Sequence, residues 1–126
     1  LKQRHAGQAM QALTAIAGMQ TGASMYRYYI AVDDDIDPVD LKQVVWAMCT
    51  RVDPAESVQI LKSWTTDLDP RLPPDKRDKG DFTMSRMLID ACKPFHWREH
   101  FAVANKFSAE KREEIWEKWA PKLLLK

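Results

Sequence analysis

The sequence predicts a small α/β domain, on three observations. Residues 4–20 are rich in Ala, Gln and Met, with an apolar stripe at helical spacing. Residues 25–33 are rich in aromatic and β-branched side chains that alternate in character, which is the signature of a strand. A Pro-started helical pattern and a second strand-like run at 57–62 follow, completing strand, helix and strand. Together these predict a layered domain with a βαβ unit, an N-terminal helix, a third short strand and a C-terminal helix.

Each element has its own warrant. In the first, Met10, Leu13, Ile16, Ala17 and Met19 form the stripe, Gly7 and Gly18 weaken the helix, and Gly22 is placed as the residue past its end. In the first strand Tyr26, Tyr28, Ile30 and Val32 alternate with Arg27, Tyr29 and Ala31. The strand stops at Asp33–Asp34–Asp35–Ile36–Asp37–Pro38, where Asp37 reads as a helix N-cap and Pro38 suits a first turn. Leu41, Val44, Val45 and Met48 carry the helix to Arg51, and Val52–Asp53–Pro54 breaks it. The crossover favours parallel pairing of the two strands. Residues 63–81, with Pro70, Pro73, Pro74 and Gly80, read as a long irregular excursion. A third short strand is expected over 85–91. Ser108 caps a last helix over 110–119, which Pro121 ends.

The chain has 126 residues, so residues 1–126 are read as a single domain with one core. Apolar residues at 45% and charged residues at 29% exclude a disordered chain. A net charge of +1 argues against a nucleic-acid partner. No apolar run reaches the ~18 residues of a membrane span, and no signal peptide is visible. Cys49 and Cys92 form no CxxC pair and read as two buried free thiols of a cytoplasmic protein. The chain starts without Met inside a helical pattern, which fits a fragment or a subunit trimmed at its start.

Two motifs carry possible metal chemistry. Asp33–Asp34–Asp35–Ile36–Asp37 matches the DDxxD magnesium-diphosphate pattern of terpenoid synthases, but that pattern works on a helix, and here a strand precedes it. An EF-hand loop fails as well, because Pro38 and Val44 stand where Gly and Glu are needed. The bland reading is a charged strand end with a helix cap. His96–Trp97–Arg98–Glu99–His100 spells the HxxEH of inverted zinc proteases, yet Pro94 precedes it and no third ligand follows. These residues read as surface. The five tryptophans are many for this length, and Trp116 and Trp119 are either core or docking surface. No Ser/His/Asp order or Gly-rich phosphate loop emerges.

Four collinear blocks resemble the UbiD family of decarboxylases. They are Tyr29–Ile30–Ala31–Val32–Asp33–Asp34–Asp35–Ile36–Asp37–Pro38, then Val45–Trp46–Ala47–Met48–Cys49–Thr50–Arg51–Val52–Asp53–Pro54, then Leu68–Asp69–Pro70–Arg71, and Ser85–Arg86–Met87–Leu88–Ile89–Asp90–Ala91–Cys92–Lys93–Pro94. The resemblance implies the C-terminal domain of an enzyme that reversibly decarboxylates aromatic or α,β-unsaturated acids with prenylated FMN. It places that cofactor, its divalent metal and potassium, and the Arg–Glu–Glu catalytic set in preceding flavin-binding domains. This domain would close over the active site and contribute to dimerisation. Glu110–Lys111–Arg112–Glu113–Glu114 is an ordinary charged helix face, so no catalytic, cofactor-binding or metal-binding residue carries over. What the resemblance implies is a pocket lining at Ile89, Ala91 and Cys92, where Ala91 and Cys92 would leave a small, fairly apolar wall; the alternative is a buried strand end with Cys92 as filler. The rival readings are a non-catalytic assembly module that keeps the fold, and metal-dependent terpenoid or protease chemistry.

Overall fold

The computed structural model describes residues 1–19, 26–103 and 107–123. Its elements are α1 (Gln8–Gly18), β1 (Tyr28–Val32), α2 (Leu41–Arg51), β2 (Val58–Trp64), α3 (Pro74–Asp78), β3 (Thr83–Ala91), a 3₁₀ turn (Phe95–His100) and α4 (Ala109–Trp119). The α/β class is observed, but the strand pairing differs from the expectation. The sheet order is β1-β3-β2: β3 lies between the other two, parallel to β1 and antiparallel to β2. The strand expected to be short is the longest, at 9 residues. The physical reason lies in burial. The run Leu88–Ile89 and Ala91 is buried on both faces, as a central strand requires, whereas β2 alternates with exposed Gln59, Ile60 and Lys62 and suits an edge.

Alternation along the strands sorts the core into two faces. On one, Leu13 and Ala17 of α1 pack against Leu88, with Tyr29, Ala31 and Leu61 around them. On the other, Ala47, Val44 and Met48 of α2 cover Val32, Ala91 and Ile30, with Ile36 beside them. The α1 face also buries Arg86. Its guanidinium donates to Ala17 O at 2.7 Å and to Trp64 O at 2.6 Å, and it stacks over the Tyr29 ring at 5.9 Å. It ties the C-terminal turn of α1, where carbonyls carry partial negative charge, to the end of β2.

Several local expectations need correction. The first helix begins at Gln8 because Gly7 takes a left-handed conformation (φ 77°) ahead of it. Gly22, its expected end marker, lies outside the described residues. The N-cap of α2 is Asp40 rather than Asp37: Asp40 Oδ1 accepts from Lys42 N at 2.9 Å and from Gln43 N at 3.4 Å. Asp37 instead holds the preceding turn, accepting from Val39 N at 2.9 Å, and Pro38 sits in that turn. The 63–81 excursion is shorter than expected, since β2 runs through Trp64 and α3 forms inside it. Cys49 is exposed and Cys92 is buried. The sheet-facing stripe of α2 is Val44, Ala47, Met48 and Arg51, which turns Cys49 outward. Ser108 caps α4 as expected, accepting from Lys111 N at 3.2 Å.

Candidate functional site

Ligand sites in open α/β sheets lie beyond the carboxyl ends of parallel strands. Here β1 and β3 end side by side, with Val32 opposite Ala91, and the aspartate run begins at once. Asp33 is buried. Its Oδ2 accepts from Arg51 NH1 at 3.1 Å and from Lys93 N at 2.6 Å, while its Oδ1 accepts from Gln3 Nε2 at 2.9 Å. Arg51, at the last position of α2, also holds Asp35 through both terminal nitrogens at 2.9 Å, and it lies over the Trp46 ring at 5.3 Å. Lys93 Nζ reaches Asp35 at 2.9 Å. Gln3 Nε2 donates to Lys93 O at 2.9 Å, and Arg98 donates to Gln3 O at 3.1 Å. The network thus fastens the ends of β1, α2 and β3 and the N-terminal segment to one another. A cleft of about 280 Å³ opens above it, lined by Lys2, Asp34, Lys93, Arg98 and Glu99.

The electrostatics favour a strut over a proton carrier. The Arg51 hydrogen bond, helped by Lys93 and opposed by partial burial, holds Asp35 well below the usual carboxylate range. Burial pushes the Cys92 thiol far up, reinforced by Asp90 and Asp33, so it stays protonated and is a poor nucleophile. At the opposite end of the sheet, Arg27 reaches both oxygens of buried Asp69, at 2.7 and 2.5 Å, and the Thr65 hydroxyl donates to Asp69 at 2.7 Å. Burial would raise Asp69, but Thr65, the Arg71 amide and Arg27 outweigh it and the carboxyl sits low.

The expected wall residues are all buried. Ile89 and Ala91 point toward α2, Ala91 in the cluster with Val32 and Ala47, and Cys92 follows at the strand end with its N–H donating to Asp90 Oδ1 at 3.0 Å. Asp33 and Asp35 come together through Arg51 and Lys93. Among the described residues no group of three His, Cys, Asp or Glu side chains converges on a metal position. His96, Glu99 and His100 are exposed on the 3₁₀ turn, whose backbone leaves helical geometry at Trp97 (φ −134°, ψ 20°), so the zinc-protease pattern has no helix to sit on. Arg27 and Arg51 are engaged by carboxylates and Arg86 by carbonyls, so none of these three points a free guanidinium at a flavin phosphate. Sequence reasoning missed Gln3, Arg51, Lys93 and the Arg27–Asp69–Thr65 set. The available signal was an acidic strand end with an arginine at the close of the next helix.

Residues 1–91 match the family described as the 3-octaprenyl-4-hydroxybenzoate carboxy-lyase C-terminal domain. The chain belongs to the UbiD family. Among curated relatives, an uncharacterised protein of Archaeoglobus fulgidus is 43% identical over 68 residues, covering 53% of this chain and 14% of that one. The phenolic acid decarboxylase of Sedimentibacter hydroxybenzoicus is 31% identical over 93 residues, 74% of this chain and 18% of the relative. Among solved structures, the UbiD-class enzyme HmfF of Pelotomaculum thermopropionicum in complex with FMN superposes with a TM-score of 0.69 at 27% identity, over 88% of this chain and 23% of that one. The vanillic acid decarboxylase of Sedimentibacter hydroxybenzoicus in closed form gives 0.66 at 28% identity, over 99% of this chain and 25% of that one. The chain therefore spans a quarter or less of each of these UbiD relatives. No helix among its described residues is long and apolar enough to cross a membrane.

Proposed function

We propose that this chain is the C-terminal domain of a UbiD-type carboxy-lyase that acts on aromatic or α,β-unsaturated acids with prenylated FMN. The observation that carries the reading is the family match over residues 1–91, joined to the likeness with UbiD-class decarboxylases, one of them solved with FMN. In this reading the flavin, its metal and potassium belong to the preceding domains of a larger cytoplasmic enzyme, and this domain excludes water from the reacting centre and contributes to dimerisation. The cofactor supplies the electron sink for loss of CO₂. This chain's part is a rigid wall, braced by Arg51 between Asp33 and Asp35.

Ile89, Ala91 and Cys92 are the proposed wall against the substrate's far end. A hydrophobic wall discriminates by about 1–3 kcal/mol per methylene, so they tune range instead of switching activity off. Burial beneath α2 favours a second reading for Ala91, as packing alone. The test uses the complete enzyme loaded with prenylated FMN. It should release CO₂ from an aromatic acid, and Ala91→Leu or Cys92→Leu should penalise bulky acids more than small ones. Equal losses across a size series, with a large drop in melting temperature, make both residues packing. A loaded enzyme inert on every acid leaves the assembly module.

A further inference from the structure

The end of the sheet away from Asp33 holds a second cleft, of about 310 Å³, between the start of β3, the turn at Asp69 and α3. Here β3 outruns its parallel neighbour. Pairing with β1 begins at Met87, whose N–H donates to Arg27 O at 2.7 Å. Backbone direction repeats at every second residue of a strand, so the N–H of Ser85 points to the same side, past the start of β1. That side is the cleft, and the exposed Ser85 side chain lines it too.

The cleft is built around a buried carboxylate. Asp69 is 3% exposed; it accepts from the Thr65 hydroxyl, from Arg71 N at 2.9 Å and from Nη2 of Arg27. Arg27 is therefore held, but its Nη1 and Nε have no partner among the described residues. Lys76 shares its charge with Asp81 at 3.3 Å. The exposed Arg71 side chain has no carboxylate beside it among the described residues. Three cations, Arg27, Arg71 and Lys76, thus stand against two carboxylates, Asp69 and Asp81, an excess of one positive charge. That excess matches a carboxylate, and a phosphate dianion would exceed it. Leu72 and Met84 give the cleft an apolar side.

We propose that this cleft binds the carboxylate of a small organic acid. Arg71 is its ion-pair partner, the Ser85 amide and hydroxyl are its neutral donors, and its hydrocarbon part lies against Leu72 and Met84. Asp69 is the positioning group. It fixes the Arg27 guanidinium and the Arg71 backbone before any ligand arrives, so neither has to be ordered on binding. The volume, at the lower end of small-molecule sites, sets the size of the acid. The inference stands apart from the carboxy-lyase reading, since it uses only residues of this chain.

Amide NMR of the full chain, titrated with acetate and butyrate at an ionic strength held constant with chloride, tests this. Both acids should shift the Ser85 and Arg71 amides saturably in the millimolar range. Butyrate should bind at least about threefold more tightly than acetate, because its two further methylenes are partly covered. Arg71→Gln keeps the backbone amide that Asp69 holds and should weaken butyrate about fivefold. Ser85→Ala should weaken it about twofold. Both positions are exposed, so each variant should keep the fold. Shifts that fail to saturate, or that Arg71→Gln leaves unchanged, overturn the site. Inorganic phosphate binding more tightly than butyrate overturns the carboxylate as its ligand.

Discussion

Arg51 is the residue on which the strand end depends, because it is buried and its charge has Asp33 and Asp35 as counterions. Truncating it leaves Asp33 buried beside the single amide of Lys93 and the side chain of Gln3, and a buried pair broken on one side is costly. The linkage to pH follows from Asp35. Its folded pKa lies below the ordinary value near 3.8, so its contribution is fully present above that value and is lost as pH falls through the folded one. The melting temperature of wild type should exceed that of Asp35→Asn by a constant margin near neutrality, and the margin should shrink below about pH 4. Differential scanning fluorimetry from neutral to acid pH checks it, and a margin that grows in acid refutes it. Little of this was legible beforehand. The acidic run was plain in the sequence, but its partner lies 18 residues away and is brought back only by the tertiary path of α2.

At the scale of elements, local chemistry was readable to within a turn and no closer. Helix α2 was expected with an aspartate cap, and both Asp37 and Asp40 satisfy the type preference. What separates them is Pro38, which draws Asp37 into a turn with Val39 and postpones the helix to Leu41. Asp40→Ala should therefore cost about 1 kcal/mol as a lost cap, and Asp37→Ala about 0.5 kcal/mol or less as a turn residue near the surface. Urea unfolding of the two variants compares them, and the reverse order would restore Asp37 as the cap. The caps of α4 and the position of β3 were legible because Ser108 and the Met87–Leu88–Ile89 run act through neighbours in sequence. The 3₁₀ turn was not, since nothing between Pro94 and Phe101 has a helical apolar period.

For the whole molecule, the α/β class was legible from periodicity and the strand order was not. Two strands joined by a helix favour parallel neighbours, but nothing local forbids a third strand from taking the place between them, and β3 takes it with Leu88, Ile89 and Ala91 buried. Its central position makes a testable gradient. Backbone amides of Leu88 and Ile89 should exchange with deuterium more slowly than those of Tyr29 and Ile60 on the flanking strands, and comparable rates would mean that the sheet opens as one unit. The same position has a consequence for the order in which the chain is made. Synthesis runs from the N-terminus, so β1, α2 and β2 are all made before Thr83–Ala91 exists. Neither early strand has its hydrogen-bonding neighbour until then, although the helices that will cover Ile30, Val32 and Leu61 are already made. For this stretch of translation the nascent domain is a set of unpaired edges, and the closing of the sheet is timed by the last strand to be translated.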